Sequence, residues 1–168
     1  AEFWRTEADK MRDDIIEKSW NADMNCFMES FGAKDPEYLD ASLLLLHEVG
    51  FIKAKDPRFV GTVEAIEGRL VNKGMLYRYI LEDDFGKPEV AFTICTFWYI
   101  SALHAIGRKQ EAREMFENML KKRNHVGLLS EDMDFETGEL WGNFPQTYSM
   151  VGLINCAMRL SKGWEEAL

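Results

Sequence analysis

The chain has 168 residues, enough for one domain with a core of its own, and 46% of them are hydrophobic, with eleven Phe and five Trp to fill it. A net charge of −9 argues against nucleic acid or an anionic membrane surface as a partner, since both select clustered Lys and Arg. No apolar run reaches the ~18 residues of a membrane span, and three well-separated cysteines, Cys26, Cys95 and Cys156, read as buried free thiols of a reducing, cytoplasmic compartment.

The pattern along the chain is mostly helical, and two kinds of helix alternate. Residues 4–18 place Trp4, Ala8, Met11 and Ile15 on one face, with charges elsewhere. Residues 39–51, LDASLLLLHEVGF, are apolar nearly all round and read as a buried helix. Residues 57–71 are amphipathic again, with Phe59, Val63, Ile66 and Leu70 in one stripe. Asp56 is the expected N-cap there, and Pro57 takes the first helical position. A second all-apolar stretch follows at 91–107, AFTICTFWYISALHAIG. Residues 108–123 return to a striped pattern through Ala112, Met115, Phe116, Met119 and Leu120. The last apolar stretch is YSMVGLINCAMRLS, residues 148–161.

Between each amphipathic helix and the apolar one after it lies an irregular segment. The three are residues 21–38, 72–90 and 123–146, and each mixes aromatics, carboxylates, Gly and Pro. The pieces CFMESF and MLYRYI suit short hairpin strands. The apolar helices begin near residues 40, 91 and 147, a spacing of roughly fifty residues that lies in the range of repeat architectures. Outer amphipathic helices around inner apolar ones describe an all-α toroid or solenoid of about six helices, with the loops gathered at one end. A plain helical array with decorated loops fits the same pattern.

Chemistry concentrates in residues 128–150, LLSEDMDFETGELWGNFPQTYSM. A calcium-loop reading of DMDFETGE fails, because the glycine comes one position late and position twelve is Asn143. The histidines, His47, His104 and His125, are isolated and lack the spacing of metal ligands. There is no Gly-rich phosphate loop and no nucleophile elbow.

The segments at 39–67, 76–120 and 124–160, and above all GLLSED followed by ETGE and GNFPQ, resemble the C-terminal half of glycoside hydrolase family 15. That family contains glucoamylases, glucodextranases and some trehalases. The resemblance runs in order along nearly the whole chain and makes residues 1–168 a single unit, half of an (α/α)6 toroid. It implies an inverting α-glucoside hydrolase without an organic cofactor. The general base of the family stands in a Ser/Ala-Glu-Glu/Gln motif, which reads Ser130-Glu131-Asp132 here, so Glu131 is the implied base and Asp132 is a departure. Arg78 and Tyr79 resemble the Arg-aromatic pair of the sugar subsite. Glu89 resembles an acidic residue at the helix mouth. The usual NFPQAFSH reads NFPQTYSM, with Tyr148 in the aromatic place and Met150 where a His is usual. Trp141, Tyr77, Tyr79 and Tyr148 offer apolar ring faces to a sugar.

The general acid of the family lies upstream in a segment with a Trp-Glu pair. The pair in this chain, Trp164-Glu165, stands at the other end. The resemblance therefore implies a chain that carries the base, lacks the acid and does not hydrolyse glycosides alone. The N-terminal half of the barrel, or a second copy, is the implied partner beside an α-glucoside saccharide. The alternative is a non-catalytic helical subunit that binds carbohydrate or protein.

Overall fold

The computed structural model describes residues 1–35, 37–84 and 86–161; Trp164 and Glu165 lie outside them. The second amphipathic helix shows best how local chemistry sets an element. The Asp56 carboxylate accepts from the Arg58 backbone N–H at 3.0 Å, Pro57 occupies the first turn, and helix α2 runs Pro57–Leu70. (Helix α1, Glu2–Ser19, precedes it.) The expected stripe is realised completely: Phe59, Val63, Ile66 and Leu70 are fully buried.

Each outer helix leads into a hairpin. Helix α1 continues into β1 (Trp20–Asn21), which pairs antiparallel with β2 (Cys26–Phe27) in the register Trp20 to Phe27. Helix α2 continues into β3 (Val71–Asn72), paired with β4 (Met75–Leu76). The two hairpins are fastened alike. The Met28 N–H donates to the carbonyl of Ser19, the last residue of α1, at 2.9 Å, and the Tyr77 N–H donates to that of Leu70, the last of α2, at 3.0 Å. The Phe27 N–H then donates to Thr62 Oγ1 of α2 at 2.9 Å. The Leu76 N–H donates to Thr96 Oγ1 at 3.0 Å, in the next α-helix along the chain. The repeat in the sequence is thus a repeat in hydrogen bonding.

The third unit is more elaborate. Strand β5 (Ala91–Phe92) leads into helix α3 (Thr93–Ile106), and Gly107, with φ of +106°, turns the chain into helix α4 (Lys109–Lys121). Strand β5 pairs with β6 (Asp132–Met133), which pairs with β7 (Leu140–Trp141), giving a three-stranded antiparallel sheet. Helix α5 (Thr147–Leu160) closes the described chain.

Helix α3 is the centre. It packs against α4, α5, α2 and the segment after residue 40. Thr93–Phe97 and Tyr99–Leu103 are buried, as its unbroken apolar character requires. Its approach to α5 is set by Gly152. A Cβ there would lie 2.6 Å from Ile94 Cδ1 and 2.9 Å from Phe97 Cβ, so only glycine lets the two helices sit this close. On the outer side, Arg108 spans α2 and α4. Its Nη1 and Nη2 donate to the two carboxylate oxygens of Glu67 at 2.6 and 2.7 Å, and its Nε reaches Glu111 at 2.8 Å. This bidentate, partly buried pairing is the geometry in which an Arg–carboxylate contact counts most.

Three expectations change. Residues 39–51 form no α-helix. They make a 3₁₀ turn, Ala41–Leu45, followed by hydrogen-bonded turns. Asp40 caps it through Ser42 N–H at 2.7 Å, and the Phe51 and Ile52 N–H groups both return to the Leu46 carbonyl around Gly50, which has φ of +74°. The chain doubles back before a second α-turn can form, and the described residues hold five α-helices beside this turn. Helix α5 is apolar, yet Tyr148, Val151, Ile154 and Met158 form an exposed face. Helix α1 does not bury the front of its stripe either: Trp4 and Met11 are 73% and 64% exposed. Among the described residues no helix is long and apolar enough to cross a membrane.

Candidate active site

The hairpins bring the carboxylate-rich loop to one end of the helix array, and Glu131 is held there from three sides. Its own backbone is paired twice: its N–H donates to the Asn143 carbonyl at 3.0 Å, and its carbonyl accepts from the Thr93 N–H, at the start of α3, at 2.9 Å. Its carboxylate accepts three N–H donors. Asn143 gives its backbone N–H at 3.2 Å and its Nδ2 at 2.8 Å, both to Oε2, and Gln146 Nε2 reaches Oε1 at 3.3 Å. The segment that supplies them is strapped to the strand beside it. Gln146 N–H donates to the Leu129 carbonyl at 3.0 Å, and Ser149 Oγ donates to the buried Ser130 carbonyl at 2.8 Å. The peptide between Phe144 and Pro145 is cis. The GNFPQ motif therefore has a physical meaning: it is the jig that aims one carboxylate.

Glu131 faces Arg78 and Tyr79 across a cavity of about 240 Å³, whose other walls are Pro88, Val90, Phe92 and Asp132. Arg78 is positioned by Asp40, which accepts from its Nε at 3.2 Å, and the Arg78 carbonyl receives the Ala41 N–H at 2.8 Å. The guanidinium also lies 5.9 Å from the centre of the Tyr79 ring. The Tyr79 hydroxyl donates to Asp83 at 2.5 Å, and its ring borders a neighbouring cavity lined by Glu29, Glu37, Asp40, Leu81 and Asp83. Glu29 there is lifted above the ordinary carboxylate range by burial and by the nearby Asp40 charge. Asp132 is pushed up to about 6, first by burial and then by the adjacent Glu131 charge.

The structure thus brings together Glu131, Arg78 and Tyr79. The remaining sequence candidates stand elsewhere. Tyr148 packs edge-on against Trp98, ring centres 5.8 Å apart, and lines a separate groove of about 350 Å³ between α3, α5 and Leu45–Val49. Trp141 is paired with Asp132 across β6 and β7 and is 55% exposed. Glu89 is exposed, between the two wall residues Pro88 and Val90. Tyr77 packs against Phe135 at 4.4 Å, and Met150 packs on the core. Two positions escaped the sequence reading. Asp40, which holds Arg78, stands unmarked inside the apolar stretch 39–51. Asp132 was visible only as a motif departure.

Short hairpins leading from outer to inner helices, with one aimed carboxylate beside an arginine and a tyrosine, point to a class, the helical glycosidases. The comparisons specify which. The profile of glycosyl hydrolases family 15 matches residues 1–158, and the chain belongs to that family. It is 41% identical over 166 residues to a trehalase of Thermoplasma volcanium, covering 98% of this chain and 26% of that protein. It is 35% identical over 170 residues to a trehalase of Mycobacterium tuberculosis, covering 99% of this chain and 24% of that one. The chain therefore spans about a quarter of the length of the curated relatives it matches. Among solved structures, a wild-type glycosidase superposes with a TM-score of 0.77 at 16% identity, over 92% of this chain and 43% of the other. A variant glycosidase in complex with glucose superposes equally well at 15% identity. These likenesses carry the fold: a partial helical toroid.

Proposed function

We propose that this chain supplies the base side of an inverting α-glucoside hydrolase site, with Glu131 as the general base and trehalose as the leading substrate. The observation that carries the reading is the Glu131 carboxylate, held by Asn143 and Gln146 and facing Arg78 and Tyr79 over a shared cavity. Inversion needs a base that activates a water on one side of the scissile bond and an acid that protonates the leaving oxygen on the other. The two carboxyl groups stand about 6.5–9.5 Å apart. Glu131 accepts the water's proton. The Arg78 guanidinium, a fixed fork of donors, binds sugar hydroxyls, and the Tyr79 ring covers an apolar sugar face. The trehalase names of the relatives in Thermoplasma and Mycobacterium support the choice of substrate.

The proton donor comes from a complementary set of helices. The exposed apolar faces of α1, at Phe3, Trp4 and Met11, and of α5, at Tyr148, Val151, Ile154 and Met158, are surfaces of the kind such a partner covers. Self-association of this chain is the competing way to cover them. Three buried free cysteines suit a cytoplasmic setting.

The test is glucose release from trehalose by the chain alone and by the chain mixed with the remaining helices of a related trehalase. Proton NMR reads the anomer first formed. The expected result is no turnover alone, and turnover in the mixture with one glucose released as the β anomer. Replacing Glu131→Gln then lowers the rate by on the order of 10²–10⁴. An active mixture indifferent to that substitution removes Glu131 from the role.

A further inference from the structure

The cavity holds a second carboxyl that the reaction above does not use. Asp132 follows Glu131 in sequence, and neighbouring residues of a strand normally point to opposite faces. Here both carboxylates crowd one point in front of Gly142. A Cβ built there would lie 2.9 Å from Asp132 Oδ2 and 3.0 Å from Glu131 Oε2, so neither oxygen is farther from that point than a hydrogen-bond length. Gly142 has φ of +76°, a second reason for glycine at this position. The two acids differ sharply in their partners. Glu131 takes three N–H donors, whereas among the described residues no donor reaches the Asp132 carboxyl.

Resting on the sugar-site reading and deepening it, we infer that Asp132 enters the site as a neutral carboxylic acid that donates a hydrogen bond to a substrate hydroxyl, while the Glu131 carboxylate remains the acceptor. Two partly buried carboxyls this close favour one charged and one protonated member, because the second charge is poorly hydrated and has no donor of its own among the described residues. The three N–H donors make Glu131 the acceptor of the pair. The other groups around Asp132 leave this assignment intact. Arg78 and Tyr79, on the connection from β4 to β5, share its cavity, but the Arg78 charge is matched by Asp40. Cys95 of α3 is a thiol held protonated by its own burial. The β7 side brings Trp141, Gly142 and Asn143, none of which titrates. Burial and the Glu131 charge place the Asp132 midpoint at about 6, so the neutral form is present in mildly acidic solution. Asp132 is not the absent proton donor of the reaction. It shares one wall with the base, whereas the acid must stand across the scissile bond.

The test uses the 168-residue chain with ¹³C-labelled aspartate and glutamate carboxyls, and glucose and trehalose as probes. One carboxyl resonance, lost in Asp132→Asn, is expected to titrate near pH 6 and to move toward the ordinary aspartate range in Glu131→Gln. Sugar affinity in the wild type is expected to fall about tenfold from pH 5 to pH 7 as the neutral fraction is lost. Asp132→Asn, whose amide still donates, binds equally at both pH values. An Asp132 carboxyl that titrates in the ordinary range, or wild-type sugar binding indifferent to pH, overturns the inference and leaves the sugar site standing. Absence of sugar binding by the wild type at every pH overturns the sugar-site reading and the inference with it. The midpoint itself is read on the wild-type chain, and Asp132→Asn serves only to assign the resonance.

Discussion

Helices α3 and α5 have nearly the same character in sequence, apolar from end to end, and opposite fates in the fold. Helix α3 is surrounded by α2, α4, α5 and the 3₁₀ turn, and most of its residues are buried and none is exposed. Helix α5 meets α3 through Gly152 and Cys156, while Ile154 and Met158, on its other face, are 52% and 72% exposed. Composition sets what a helix can bury, and its neighbours decide what it does bury. The open side of α5 is the surface that the complementary helices proposed above would cover.

Substitutions break that contrast in a graded way. The largest effect belongs to Phe97→Ala in α3. Phe97 is 1% exposed, stacks toward Phe116 and packs on Gly152, and its loss leaves a cavity that costs about 3–5 kcal/mol in chemical denaturation. Next is Gly152→Ala, which drives a methyl into Ile94 and Phe97 and costs about 1–3 kcal/mol, with the α3–α5 spacing widened. The smallest effect on the chain by itself is Ile154→Glu on the open face of α5. Its unfolding midpoint stays within ~0.5 kcal/mol of wild type. The same substitution abolishes any complex that covers this face, and light scattering of the mixture with complementary helices reads that directly. A loss of several kcal/mol from Ile154→Glu in the chain alone would mean that α5 is packed on both sides, and the contrast would fail.

What the sequence revealed follows the range of the interaction involved. The α2 start was legible because Asp56, Pro57 and Arg58 are neighbours, and the α2 stripe because its period is intrinsic to the helix. Glu131 was legible through its motif, and the structure gives the motif its reason in the Asn143 and Gln146 donors. The 3₁₀ turn was not, because residues 39–51 carry a helical apolar pattern. Only the return of Phe51 and Ile52 to the Leu46 carbonyl around Gly50 cuts it short. The grip of Asp40 on Arg78 joins residues 38 apart, and the meeting of Asp132 with Gly142 depends on how β6 and β7 turn back on each other. The exposure of α5 was hidden for the reason α3 was plain: both look buried until their neighbours are counted.

The hydrogen bonds that fasten the first two hairpins have a consequence for how the molecule comes together. Each hairpin closes on the helix that precedes it and then offers a backbone N–H to a threonine on a helix that follows, Phe27 to Thr62 and Leu76 to Thr96. Every such link runs forward along the chain, so each unit is templated by the one made just before it. Cooperativity in this arrangement is short-ranged, passing from neighbour to neighbour as in a linear array. The Arg108 fork between α2 and α4 adds a second tie between the second unit and the third. In such an array α1, with Trp4 and Met11 facing water, is held less firmly than α2 and α3, whose apolar side chains are buried.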